Sequence, residues 1–441
     1  MTQFEKTLVD NARDNHAEIG GGIRGENVTL AGANRLDSWL RSRVIQRLEA
    51  MDSGQLVIRD CLGEVRLGHD DGLSASVEIH DLAFWRLMAT GGSLGAAEAY
   101  MAGLWDSPDL VSVVRVLARN RELLNRVDSG SARLTSWLMG IWHAFNRNSL
   151  SGSRRNIAAH YDLGNDFFSA WLDERMMYSS ALYESANDSL EAAQINKLDR
   201  ICTRLALGPD DHLLEIGTGW GGLALHAASR YGCRVTTTTI SREQYDYAAE
   251  RIREAGLEDR IELKLEDYRD LTGRYDKIVS IEMIEAVGHH YLDTYLAKID
   301  RLLKPNGLAL LQAITIEDFR YQRALGNIDF IKRYIFPGSF IPSVSAITGA
   351  MGRATRLGLI ELADFGASYA RTLSDWRQRF EAAWDEISAM GFDDTFRRRW
   401  RYYLAYCEGG FHERAISDVH LLLAGPDFRP AEPTGLTAAR P

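Results

Sequence analysis

The sequence predicts an α/β protein in two parts, a doubly wound, Rossmann-like domain preceded by a smaller α+β unit. Three observations predict it. A chain of 441 residues with 45% hydrophobic composition is too long for one ordinary compact domain and has enough core residues for two with separate cores. From about Ser189 onward, strand-like runs alternate with amphipathic helical ones, as a parallel sheet covered on both faces requires. Earlier in the chain, short β-branched or alternating runs are separated by Gly and Asp turns.

Taken in order, residues 1 to about 50 are polar, with a helix-like stretch near Trp39 to Leu48. Leu56 to Arg59, Glu64 to Leu67 and Ala75 to Ile79 read as an antiparallel meander. A helical pattern from Leu82 to Met88 meets Gly91-Gly92, and a second runs from Leu94 to Trp105. Leu134, Trp137, Leu138, Ile141, Trp142 and Phe145 then fall at steps of three and four, one apolar helix face. That face either packs between the domains or lies in a membrane interface, with Arg147, Arg154 and Arg155 just beyond it. The Asn-, Ser- and Gly-rich stretch after it marks the boundary: a first unit over 1–145, a linker over 146–160, the larger domain over 161–424 and a loose, Pro-rich tail over 425–441.

Composition narrows the functions. A formal charge of -10 argues against a general nucleic-acid binder, which needs a surplus of Lys and Arg. Cys61, Cys202, Cys233 and Cys407 form no C-x-x-C pair, which fits a reducing compartment and offers no metal-site spacing. The polar, mixed-charge start lacks the pattern of a signal peptide, and no apolar run is long enough to span a bilayer. The expectation is a cytoplasmic protein that meets lipid, if at all, peripherally from the inner membrane face. A homodimer is compatible with the sequence, which sets no oligomeric state.

Leu213-Leu214-Glu215-Ile216-Gly217-Thr218-Gly219-Trp220-Gly221-Gly222 is an apolar strand entering a glycine-rich turn, followed by a helical run to Ser229. Such a turn lets the backbone approach a ligand closely, and the helix start favours an anionic group. Nicotinamide enzymes show an acidic residue about twenty positions on. Here that place holds Arg234 to Ser241, with no carboxylate, so a different adenosine ligand is favoured. Glu215, Asp267 before Tyr268, a strand at Asp276 to Ile281, and Lys304-Pro305-Asn306-Gly307 before a strand at Leu308 to Ile316 match Rossmann-like enzymes that use S-adenosylmethionine.

Six ordered blocks between residues 150 and 420 resemble the cyclopropane-fatty-acyl-phospholipid synthases and mycolic acid cyclopropane synthases. They are His160 to Phe168 with Met177-Tyr178-Ser179; Gly219 to Gly222; Thr239-Ile240-Ser241-Arg242-Glu243-Gln244; Ser280-Ile281-Glu282-Met283-Ile284-Glu285-Ala286-Val287-Gly288-His289; Tyr334 to Gly338; and Tyr369 to Leu373 with Trp376, followed by Tyr402-Tyr403-Leu404, Cys407, Gly409 and Phe411. Gly92 to Gly95 and Glu98 to Trp105 resemble the family's N-terminal lipid-binding module. The resemblance implies a class I methyltransferase fold. It also implies S-adenosylmethionine at Tyr178, Ser179, Glu215, Gly217, Gly219, Trp220, Gly221, Thr239, Ser241, Gln244, Asp267 and Tyr268. A bicarbonate ion is implied as well, held at Ser180, Glu285, Gln312, the main chain at Ile314, and Tyr369. Ser180 stands where Cys is usual and Gln312 where His is usual, and Gln312 carries no charge and moves no proton. Cys407 is a further catalytic candidate, set against ordinary burial of a small thiol.

The activity so implied is one-carbon transfer to the double bond of an unsaturated acyl chain on a phospholipid, closing a cyclopropane ring. An alkene is a weak nucleophile, so water must be excluded and the double bond aligned with the sulfonium methyl. The resulting cation needs an anion and a base, bicarbonate or Glu285, with Tyr369 and Tyr334 as aromatic faces turned toward it. A displaced base opens the alternative of a methylene- or methyl-branched chain. A lipid-binding protein without catalysis is the competing class. The run Arg397-Arg398-Arg399-Trp400-Arg401 reads as a solvated helix face or a headgroup contact.

Overall fold

The computed structural model describes residues 35–123 and 163–430. The first unit comprises α1 (Arg35–Leu48), β1 (Gln55–Asp60), β2 (Gly63–Gly68), β3 (Ser74–Ile79), α2 (Ala83–Met101), β4 (Trp105–Asp106) and α3 (Leu110–Arg119). Its sheet runs β2-β1-β3-β4. The β1–β2 hairpin is antiparallel as expected, but β1 and β3 are parallel neighbours, so the meander reading is corrected. Alternation fixes which face of a strand is buried and says nothing about its neighbour's direction. β3 returns on the far side of β1 and so runs with it. The two helical runs expected on either side of Gly91-Gly92 are present within α2 as two helices joined at Gly92, whose backbone (φ 57°, ψ −134°) is non-helical and one only glycine adopts easily. The Leu134 to Phe145 face, the proposed linker and residues 431–441 lie outside the described residues.

The larger part is the expected α/β sheet. After the short α4 (Asn165–Ser169) and α5 (Leu190–Arg204) come β5 (His212–Ile216), α6 (Gly222–His226), β6 (Arg234–Thr239), α7 (Arg242–Glu254), β7 (Ile261–Leu265) and β8 (Tyr275–Ile281). They are followed by α8 (Ile284–Val287), α9 (Leu292–Leu302), β9 (Leu303–Ile316), α10 (Asp318–Gly326), α11 (Val344–Ala354), β10 (Gly358–Asp364), α12 (Gly366–Ala382), α13 (Trp384–Ala389), α14 (Asp394–His412) and β11 (Ile416–Ala424). The sheet order is β10-β11-β9-β8-β5-β6-β7. β9, β8, β5, β6 and β7 run parallel, while β11 alone is reversed, antiparallel to its neighbours β9 and β10. The order reverses between β5 and β8, and the carboxyl ends of such strands form a ligand crevice.

Period-two alternation builds a core on each face of this sheet. Ala309, Leu311, Val419, Leu421 and Leu423 pack against α9 and α11, while Leu308, Leu310 and Leu422 pack on the side of α5 and α6. A third cluster runs without a break from Leu48, Leu56 and Trp85 of the first unit to Phe168, Trp376, Trp400 and Phe411. The two parts therefore do not keep separate cores. Gly409 permits the closest approach, because a Cβ there would lie 2.6 Å from Val114 Cγ1 of α3. Arg115 and Arg119 both reach Glu413, and Tyr334 donates to Glu98 Oε1 at 2.6 Å.

The basic run on α14 is half-buried, and three of its arginines are paired within the chain. Arg398 donates to Trp105 O and Asp106 Oδ1, and Arg397 and Arg401 both pair with Glu381. The start of the expected loose tail is also held: the Gly425 N–H donates to Gly307 O and the Asp427 N–H to Pro305 O.

Candidate active site

A cavity of about 530 Å³ opens at the carboxyl ends of β5 and β6 and continues to α2 and α3 of the first unit. At the sheet end it is lined by Tyr178, Ser179, Glu215, Gly217, Gly219, Trp220, Thr239, Gln244, Asp267 and Tyr268. Gly217 and Gly219 both have positive φ, 99° and 52°. A Cβ on Gly217 would strike Met283 Cγ at 2.6 Å, whereas one on Gly219 would meet nothing within 4 Å. The loop therefore presents bare backbone to open space, the cradle that an adenosine ligand requires. Glu215 is buried and its Oε2 accepts from Thr237 Oγ1 at 2.6 Å; burial pushes its pKa up to about 8. Two of the expected cofactor residues do not line the cavity. Ser241 is the N-cap of α7, its Oγ accepting from the Gln244 N–H, and Gly221 packs against Ala248. The Asp267 carboxylate is forked by the Arg269 guanidinium at 2.7 and 2.8 Å.

Beyond the loop, the cavity wall carries Glu282, Glu285, Ile314 and Tyr369. Glu285 Oε1 accepts from the Ile314 N–H at 2.6 Å, and its Oε2 is buried without a hydrogen-bond partner among the described residues. Burial, and then the charge of Glu282, push the Glu285 pKa up to about 8. Glu282 is the hub. Its Oε1 accepts from the Ser180 N–H at 2.8 Å and from Gln312 Nε2 at 2.7 Å, and its Oε2 accepts from the Tyr369 hydroxyl at 2.8 Å. Burial raises the Glu282 pKa, opposed by the Ser180 N–H, the Lys197 charge, Tyr369 and Gln312. Lys197 is fully buried and donates to Ser179 Oγ at 2.6 Å, and its own pKa is lowered by burial to about 8. Behind Glu282, Gln312 Nε2 also donates to Asp418 Oδ2 at 2.8 Å. Burial, with Glu282 and Glu285 nearby, holds Asp418 well above the ordinary carboxylate range.

Of the five residues expected to hold an oxyanion, Glu285, Ile314 and Tyr369 lie on this wall, while Ser180 and Gln312 sit behind it against Glu282. Glu282 falls within one of the resembling blocks without an assigned role, and nothing in the local sequence singles out Lys197 or Asp418. The available signal was a second acidic residue three positions before Glu285. Tyr369 stacks on Phe411 at 4.4 Å. Tyr334 does not line the cavity, because its hydroxyl is committed to Glu98. Cys407 does line it, next to Tyr402 and Tyr406, but burial pushes its thiol up, so it is neutral there.

The bicarbonate expectation meets a poor fit. The Ser180 hydroxyl donates to Ala181 O, and the Ser180 N–H, Gln312 amide and Tyr369 hydroxyl already converge on Glu282. The Ile314 N–H is taken by Glu285. The donors that would hold a free oxyanion are spent on two carboxylates of the chain itself.

Residues 148–421 match the mycolic acid cyclopropane synthetase family. The chain belongs to that family. It is a methyltransferase of the cyclopropane-fatty-acyl-phospholipid synthase type that uses S-adenosylmethionine. It is 40% identical to the tuberculostearic acid methyltransferase of Mycobacterium tuberculosis, over 81% of this chain and 86% of that one. It is 37% identical to the cyclopropane-fatty-acyl-phospholipid synthase of Escherichia coli, over 83% and 92%. A solved cyclopropane synthase of M. tuberculosis superimposes with a TM-score of 0.58 at 28% identity, covering 62% of this chain and 98% of that chain. A mycolic acid cyclopropane synthase complexed with SAH and CTAB gives the same score, identity and coverage. Among the described residues, no helix is long and apolar enough to cross a membrane.

Proposed function

We propose that the protein transfers the methyl carbon of S-adenosylmethionine to the double bond of an unsaturated acyl chain on a phospholipid and closes a cyclopropane ring. One observation carries the reading. A single cavity joins the glycine loop, the paired carboxylates and an apolar reach lined by Met88, Val114, Leu117, Ile331, Tyr402 and Phe411. S-adenosylmethionine supplies an electrophilic methyl on positively charged sulfur. The chain's own residues hold the alkene in a site walled by apolar side chains, which excludes water from the cation formed on the acyl chain. A carboxylate beside that cation stabilises it and takes the methyl proton, and loss of that proton closes the ring. The first unit supplies α2 and α3 as one wall of the apolar reach, which supports its reading as a lipid-holding module working peripherally at the inner face of the membrane.

A second product has its own support. If a hydride shifts along the acyl chain before the proton is taken, the same cation ends as a methylene branch, and the 40% identity to a tuberculostearic acid methyltransferase supports C-methylation without ring closure as the alternative. The test is incubation of the purified protein with labelled cofactor and unsaturated phospholipid vesicles, followed by NMR of the lipid. Cyclopropyl protons establish the ring and exocyclic olefinic protons the branch. Absence of label in the lipid would sink both.

A further inference from the structure

We propose that the side-chain carboxylate of Glu282 takes the place expected for a small oxyanion, holding negative charge beside the transferred carbon and receiving its proton, so that catalysis needs no bicarbonate. The proposal rests on the alkene chemistry above and concerns which anion serves it.

Four observations lead to it. Ser180, Gln312 and Tyr369, three of the residues the resemblance assigns to a bicarbonate, instead direct a donor at one carboxylate, the Ser180 backbone N–H and the other two side chains, at 2.7 to 2.8 Å. Glu282 lines the cavity, and against burial, which raises its pKa, the Ser180 N–H and the charge of the buried Lys197 nearby favour its ionised form. Its backbone is left-handed, with φ 47°, a conformation that costs a glutamate energy and a glycine nothing. Strain of this kind at a buried charge persists where the surroundings hold it in place, most often at functional sites. Lastly, the two departures at positions 180 and 312 suit a carboxylate. The Ser180 side chain is turned away to Ala181 O, and the Gln312 amide donates to Glu282 and Asp418 together.

The balance is simple. The carbon–sulfur bond breaks with its electron pair going to sulfur, and the alkene pair forms the first new carbon–carbon bond. The methyl carbon–hydrogen pair forms the second as its proton passes to Glu282. Among the described residues Oε2 accepts one hydrogen bond, from Tyr369, leaving a lone pair for that proton.

The test uses the full chain in buffer purged of carbon dioxide, with methyl-labelled cofactor and unsaturated phospholipid vesicles. Wild type should transfer label at the same rate with and without added bicarbonate. Glu282→Gly, which relaxes the backbone and empties the anion position, should lose about 100-fold or more. That variant should recover at least about tenfold with added bicarbonate or formate but not with chloride, as a missing general base replaced from solution would. Glu282→Gln, which fills the position without charge, should lose activity and not be rescued. Cofactor binding measured by calorimetry on each variant separates chemistry from folding. A bicarbonate-dependent wild type, a fully active Glu282→Gly, or a Glu282→Gly that binds cofactor normally yet responds to no anion overturns the proposal while leaving the alkene chemistry standing. Absence of transfer by wild type at every bicarbonate level strikes the alkene chemistry itself and takes this proposal with it.

Discussion

Two buried carboxylates three residues apart divide their states by their partners. Glu282 receives three donors and the field of Lys197, whereas Glu285 receives one N–H, and burial, then the charge of Glu282, push its pKa up to about 8. With a pKa of about 8, Glu285 is mostly protonated at neutral pH. Glu285→Gln keeps an acceptor for the Ile314 N–H and stays uncharged, so it should lower kcat by about tenfold, well short of the loss at Glu282. Single-turnover rates of the two variants, compared at pH 7, check the ranking; equal losses would contradict it. Glu215 makes a second residue-scale case. Its pKa of about 8 falls when a positively charged ligand binds, so cofactor affinity should rise with pH between about 6 and 7.5, by up to about tenfold per unit. Glu215→Gln should flatten that slope in calorimetric titrations. Glu215 was legible in the sequence because it ends an apolar strand before a glycine turn. Glu282 was not, because only the folded chain brings position 282 to Ser180, Gln312 and Tyr369.

The strands and helices around the site were legible to the degree that local pattern sets them. Arg234 to Thr239 is a β-branched run and forms β6; Leu213 to Ile216 is apolar and bounded by glycine and forms most of β5. What the pattern could not show was pairing. β1 and β3 run parallel, and β11 inserts between β9 and β10 from the far end of the chain, placing Asp418 and His420 beside Gln312. Pairing depends on tertiary contacts that no local window contains. The β5–α6 turn is where element geometry and ligand space meet. Gly217→Ala would hold a side chain at φ 99° and drive its Cβ against Met283, so it should cost about 1–3 kcal/mol of stability and weaken cofactor binding. Thermal unfolding with and without cofactor reads both effects. An unchanged midpoint together with unchanged affinity would show that the loop yields more easily than its contacts suggest.

At the scale of the molecule, length suggested two cores, but chain length does not determine whether two units share one. They share it here because α3 lies against α14 at Gly409 and the cluster holding Trp85 and Trp105 continues into that of Phe168, Trp376 and Trp400. The apolar reach of the cavity lies along this seam, with Val114 and Leu117 of α3 on one side and Tyr402, Tyr406 and Gly410 of α14 on the other. Docking of the first unit and holding of the acyl chain are therefore one packing problem. Gly409→Leu tests that coupling. Its side chain would enter the space of Val114, where a Cβ alone already lies 2.6 Å from Cγ1 and 2.8 Å from Cβ, so α3 must move outward. Overpacking of this kind costs about 1–3 kcal/mol. Because the displaced wall borders the acyl reach and not the glycine loop, KM for vesicle-borne phospholipid should rise several-fold while the affinity for S-adenosylmethionine stays within about twofold. A variant that loses cofactor binding and lipid turnover together would place the damage in the sheet and disconnect the seam from substrate holding.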